Sequence, residues 1–102
     1  MNLIQKEALR LIGIELARLT MAADVTASAA RTAQARASDA RVFYRSAPTG
    51  EAESALLKAA IQENEAIQIA HDAYDEVNMA LAAREFILGA LKSEEHENPR
   101  TI

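Results

Sequence analysis

Cysteine is absent from this 102-residue chain, and glycine, proline and aromatic residues are scarce. Without cysteine the chain has neither a disulfide framework nor a thiolate metal site. Three glycines and two prolines offer few helix breakers, and four aromatic residues supply little of the material that favours β-sheets. These shortages argue against a disulfide-rich or all-β fold and predict one small domain made of long helices.

Long uncharged apolar runs are also lacking, since none approaches the roughly 20 residues that a membrane span needs. The first ten residues include Lys6, Glu7 and Arg10, which interrupt any apolar stretch that a secretory signal would require. The sequence therefore predicts a cytoplasmic protein that does not associate with membranes.

Alanine is abundant, and in the first half of the chain it follows a regular pattern. From Leu9, alternate steps of three and four residues meet no charged residue in twelve positions. The twelve positions are Leu9, Ile12, Leu16, Leu19, Ala23, Thr26, Ala30, Ala33, Ala37, Ala40, Tyr44 and Ala47. A charge-free row of this period is typical of a helix that packs along one seam, and alanine is the best helix former. We name these twelve positions the α1 seam.

The second half of the chain has a similar apolar side. One row holds Ala52, Ala59, Ala66, Ala73, Ala80 and Ile87, and a neighbouring row holds Ala60, Ile67, Tyr74, Leu81 and Leu88. A third row, with Leu56, Ala70, Val77 and Leu91, is interrupted by Glu63 and Arg84. The opposite side is polar, so this half predicts a second amphipathic helix.

The segment between the two halves contains the strongest turn signals. Pro48 disfavours helical geometry at the preceding residue, and Thr49 is a suitable N-cap for the next helix. We therefore predict an all-α fold of two long antiparallel helices, a helical hairpin or antiparallel coiled coil, that pairs into a dimeric four-helix bundle. The expected single domain comprises helix 1 over about 3–45, a turn over 46–50, helix 2 over about 51–92 and a flexible tail over 93–102.

Charges of opposite sign flank the expected turn. Arg41 and Arg45 fall in the last turn of helix 1, where carbonyl groups favour positive charge, and Glu51 and Glu53 fall in the first turn of helix 2. We expect these arginines to pair with these glutamates.

The seam leaves a second set of large apolar residues unused. The set comprises Leu3, Ile4, Leu11, Ile14, Met21 and Val25 in helix 1 with Met79 and Phe86 in helix 2. A helix that is apolar on two sides is covered on two sides. These eight residues are the predicted interface, either of a homodimer or with a different protein partner.

Few residues suggest a catalytic, metal-binding or phosphate-binding site. His71, Asp72, Asp75 and Glu76 resemble a weak metal site, but Gln68 stands where a Glu-x-x-His motif requires a carboxylate. We interpret this cluster as a solvated polar face. The glycines are too far apart to form a phosphate-binding loop. We therefore expect no enzymatic activity, no catalytic residues, no metal and no cofactor.

Nucleic-acid binding requires a concentrated basic surface, and Arg36, Arg41 and Arg45 are the candidates for one at the hairpin tip. At 100° per residue only Arg41 and Arg45 share a helix face. We therefore expect no nucleic-acid partner, and a nucleic-acid-binding regulator is the alternative function.

The preferred function is a non-enzymatic protein–protein interaction module that acts through helical faces, as an adaptor, an assembly factor or a small inhibitor. Small, cysteine-free, acidic helical chains of this kind are common among phage and mobile-element proteins. A secreted or filament-forming hairpin is a third possibility, and it predicts association beyond a dimer.

Overall fold

The computed structural model describes residues 2–97, with the side chains of residues 2–93. Two helices, α1 (Leu3–Ser46) and α2 (Gly50–Glu97), pack along each other as an antiparallel hairpin. The Cα positions extend over 82 × 19 × 13 Å. The described residues contain no strand, which confirms the predicted all-α hairpin; its pairing into a dimer stays a prediction.

α1 begins with a capping box that was not predicted from the sequence. The side-chain oxygen of Asn2 accepts a hydrogen bond from the backbone N–H of Gln5 at 2.8 Å, and the Gln5 side chain accepts one from the backbone N–H of Asn2 at 2.9 Å. Two amides that the first helical turn would leave without a partner are thereby satisfied.

The turn follows the predicted chemistry. Ala47, the residue before Pro48, leaves helical geometry with φ of −143° and ψ of 81°, as a following proline favours. The hydroxyl oxygen of Thr49 accepts a hydrogen bond from the backbone N–H of Ala52 at 3.1 Å. The prediction that Thr49 is the N-cap of α2 is therefore confirmed.

The α1 seam is the buried side of its helix. None of its twelve positions is exposed, and every charged side chain of α1 is exposed. Ala37 has 0% of its surface exposed although its side chain is one methyl group. Such complete burial of so small a side chain requires the neighbouring helix to lie close to the α1 backbone.

The apolar side of α2 is narrower than predicted. Ala52 and Leu91 are buried and most of the predicted rows are half-buried, but Tyr74 is 61% exposed and Leu81 is also exposed. Tyr74 lies across from Ala27 and Ala30, whose side chains are too short to cover a phenol ring. Small residues that bring the backbones together thus leave the larger residues of the neighbouring row uncovered.

α2 is also longer than predicted. We expected it to end near Lys92, with a flexible tail over 93–102, but the helix continues to Glu97. No glycine or proline lies between Lys92 and Pro99 to stop it. The remainder of the expected tail, residues 98–102, lies outside the described residues.

Candidate interaction surface

A row of large apolar side chains lies on the side of α1 that faces away from the seam. Each of its members has more than half of its surface exposed: Leu3, Ile4, Leu11, Ile14, Met21 and Val25. Met21 and Val25, near the middle of the helix, are 70% exposed. We name this row the α1 stripe. It brings together on one face all six residues of α1 that the sequence assigned to an interface.

Two residues of α2 were assigned to the same interface. Met79 lines a groove of about 410 Å³ between the helices, together with Arg18 and Leu19 of α1. Arg18 belongs to the same face of α1 as Ile14 and Met21, but no residue of the α1 stripe itself lines this groove. Phe86, two helical turns further along α2, is 78% exposed.

Two ion pairs lie along the α1 stripe. The guanidinium of Arg10 binds the carboxylate of Glu7 through two nitrogens, with a distance of 3.0 Å from Nε, and Arg18 binds Glu15 in the same way at 2.9 Å. These hydrogen bonds lower the pKa of Glu7 and of Glu15 and raise the pKa of both arginines. All four side chains are at least half exposed, so their charges remain accessible to a partner.

A smaller groove crosses the middle of the hairpin. It encloses about 310 Å³, has a floor of alanines, and carries His71, Tyr74 and Arg31 on its rim. Its neighbours on the two helices are residues 27–34 of α1 and 67–74 of α2. These two ranges therefore lie side by side in the antiparallel hairpin.

The hairpin tip differs from the sequence prediction. Arg41 Nη2 donates a hydrogen bond to Glu63 Oε1 at 2.9 Å. The partner of Arg41 is therefore Glu63, and the predicted pairing with Glu51 or Glu53 is wrong. Side chains lean towards the N-terminus of their own helix, so in an antiparallel hairpin Arg41 leans away from the turn while Glu63 leans towards it.

Glu63 interrupts an apolar row of α2 and is covered by the neighbouring helix. Only 16% of its side chain is exposed, and it is the one charged side chain among residues 2–93 that is not exposed. The three arginines considered for nucleic-acid contact, Arg36, Arg41 and Arg45, are all exposed on α1, and Arg41 is in addition hydrogen-bonded to Glu63 of α2.

A second group of exposed apolar residues, which was not predicted from the sequence, lies nearer the turn. Its members are more than half exposed: Val42 and Phe43 on α1, and Leu57, Ile61 and Ile69 on α2. The spacing of four residues between Leu57 and Ile61 was the available signal, because it places both on one face of α2 outside the predicted rows.

Other kinds of site have less support in the structure. Residues 2–97 hold no group of three histidines or carboxylates arranged to bind a metal ion. Neither helix, over the same range, has an apolar segment long enough to cross a bilayer. No protein family, curated protein or solved structure matches the chain. The α1 stripe is therefore the feature on which a proposed function can rest.

Proposed function

We propose that the chain is a non-enzymatic protein–protein interaction module that binds its partner through the α1 stripe. The observation that carries this proposal is the row of six large apolar side chains, each more than half exposed, along residues 3–25 of one helix. Soluble monomers rarely expose contiguous apolar patches of more than a few hundred Å², and larger ones mark interaction sites.

The residues at the centre of this surface should matter most for binding. Full burial of a leucine or isoleucine side chain is worth about 1.5–3 kcal/mol, and Leu11 and Ile14 have about half of their surface left to bury. Residues near the middle of an interface contribute most to binding, because the surrounding contacts exclude water from them. Leu11 and Ile14 are therefore the positions at which a charge should prevent binding.

The roles of an adaptor, an assembly factor and a small inhibitor all require such a surface on a rigid support. The seam provides the support, since α1 is held against α2 along its length. A nucleic-acid-binding role has less support, because Arg41 is already hydrogen-bonded to Glu63 and a phosphate group would have to compete with that carboxylate.

The test is a double substitution, Leu11→Glu with Ile14→Glu. The matched control is Asn64→Glu with Asn78→Glu, which adds the same charge at exposed polar positions of α2. Both variants should keep the helical circular dichroism of the wild type, because all four positions are exposed. The stripe variant should lose the proteins that the wild type captures from a lysate of the source organism, and the control should retain them. Equal binding by the two variants would contradict the proposal.

A further inference from the structure

The α1 stripe is regular enough to be a second heptad seam. Starting at Ile4, alternate steps of three and four residues reach Glu7, Leu11, Ile14, Arg18, Met21 and Val25, and every one of these side chains is exposed. Steps of three and four are the spacing by which one helix packs along another in a coiled coil. Two positions of this row, Glu7 and Arg18, lie between the apolar residues of the α1 stripe; they are charged, and their charges are opposite.

These two charges are placed symmetrically. Glu7 and Arg18 are equidistant from the midpoint between Ile12 and Gly13. Leu11 and Ile14 share that midpoint. Ile4 and Met21 share it as well. A two-fold axis through the midpoint would therefore bring each member of a pair opposite the other in a second helix of the same sequence.

We propose that the α1 stripe binds a second copy of this chain, with the two α1 helices antiparallel about that axis. The inference rests on the proposed function, which makes the stripe an interaction surface, and it names the occupant. Glu7 then faces Arg18 of the second copy, Leu11 faces Ile14, and Ile4 faces Met21. Each dimer has two Glu7–Arg18 pairs, and its centre is apolar.

Other ways of pairing the same faces are unfavourable. A shift by one heptad places the Glu7 carboxylate against Leu11 in one direction and against Val25 in the other, and an unpaired charge among apolar groups is costly. A parallel arrangement places Glu7 opposite Glu7 and Arg18 opposite Arg18, and like charges across an interface suppress binding. Only the antiparallel, unshifted register pairs the charges.

The residues beside the stripe do not oppose this register. Ala8 and Ala17 flank it with small uncharged side chains. Arg10 and Glu15 already bind Glu7 and Arg18 within the chain. In the dimer they extend each Glu7–Arg18 pair into a row of four alternating charges.

A charge exchange tests the pairing. By sedimentation equilibrium the wild type should have twice the 11.1 kDa mass of the chain. Glu7→Arg alone and Arg18→Glu alone should each weaken dimerisation by about tenfold or more, because each sets like charges opposite one another. The double variant, and an equimolar mixture of the two single variants, should recover most of the wild-type affinity.

Recovery in the double variant cannot arise within one chain. There Arg10 would face an arginine at position 7, and Glu15 would face a glutamate at position 18, so the pairs with Arg10 and Glu15 stay broken. Only a contact between two copies regains its opposite charges. Circular dichroism of each variant checks that the helices remain formed.

Cysteine cross-linking tests the orientation against a background free of native cysteine. Ile4→Cys and Met21→Cys should form a disulfide when the two variants are mixed, because these positions face each other. Neither variant should cross-link to itself, since the equivalent positions are 17 residues apart along the axis, or about 25 Å. Cross-linking of each variant with itself would establish a parallel arrangement and overturn the proposal.

Two further results would overturn it. One is a wild-type chain that stays monomeric at millimolar concentration. The lysate capture would then still test the proposed function, because binding a different protein does not require a dimer. The other is a dimer whose dissociation constant does not change with Glu7→Arg or Arg18→Glu. Such a dimer would use another face.

Discussion

Ala37 has no exposed surface, so a larger side chain at this position has no space to occupy. Ala37→Leu adds three carbon atoms between two helices whose backbones are already close. The helices must separate, or the leucine must leave its preferred rotamer, and overpacking of this kind costs about 1–3 kcal/mol. We expect the free energy of unfolding to fall by that amount.

Ala35 provides the matched control, because it is an alanine of the same helix that is exposed. Leucine forms helices nearly as well as alanine, so Ala35→Leu should change the stability by no more than about 0.5 kcal/mol. Ala35→Gly should cost about 1 kcal/mol through the helical backbone alone. Ala37→Gly should cost more, because it also removes a buried methyl group.

The assay is urea unfolding followed by far-ultraviolet circular dichroism, with all variants at one protein concentration because association would add to the apparent stability. For a slope of about 1.5 kcal/mol per molar urea, Ala37→Leu should lower the midpoint by about 0.7–2 M. Equal midpoints for Ala37→Leu and Ala35→Leu, or a higher midpoint for Ala37→Leu, would refute the close packing of the seam.

Three further predictions follow from the polar contacts. Arg41→Ala should lower the free energy of unfolding by about 1 kcal/mol, because it leaves the largely covered Glu63 carboxylate without its partner. Arg36 is exposed, so Arg36→Ala should have little effect, and urea unfolding compares the two variants. Asn2→Ala removes the capping box and should cost about 1 kcal/mol, with faster amide hydrogen exchange confined to the first turn of α1. The Arg18 guanidinium lowers the pKa of Glu15 below its usual 4.5. The wild type should therefore be more stable than Glu15→Gln above pH 4.5, and this difference in stability should disappear as the pH falls through the lowered pKa. Thermal unfolding of both proteins across that range measures the difference, and a difference that grows on acidification would contradict the prediction.

The course of α1 could be predicted from the sequence because charge is excluded from a single row. From Leu9 to Ala47 that row needs no knowledge of the partner helix, only the period of the helix itself. Pro48 and Thr49 set the turn for equally local reasons, namely the restricted backbone before proline and the hydroxyl acceptor at an N-cap.

Contacts that depend on the length and direction of side chains could not be predicted from the period of the helix. Tyr74 belongs to an apolar row, yet the alanines opposite it are too short to cover it. Arg41 binds Glu63 instead of Glu51 or Glu53, because the side chains of Arg41 and Glu63 lean towards each other. The end of α2 was misplaced because polar residues after Lys92 suggested a tail, although nothing in them breaks a helix.

The location of the candidate surface was easier to predict from the sequence than the partner that binds it. Leu11 and Ile14 fall outside the α1 seam by period alone, and the structure confirms their exposure. Their exposure does not identify a partner, since any apolar surface can cover them. The information about the partner lies in the two charged interruptions, Glu7 and Arg18.

The α1 stripe occupies residues 3–25, which is only the half of the 44-residue helix that lies furthest from the turn. Two hairpins joined there would overlap only over the half of each that lies furthest from its turn, and the two turns would point in opposite directions. At 1.5 Å per residue the turns would be roughly 100 Å apart, more than the length of one hairpin. Anything bound near Phe43 or Leu57 in one copy would then be held at a fixed distance from its counterpart, so the pair would act as a molecular spacer whose span small-angle X-ray scattering can measure.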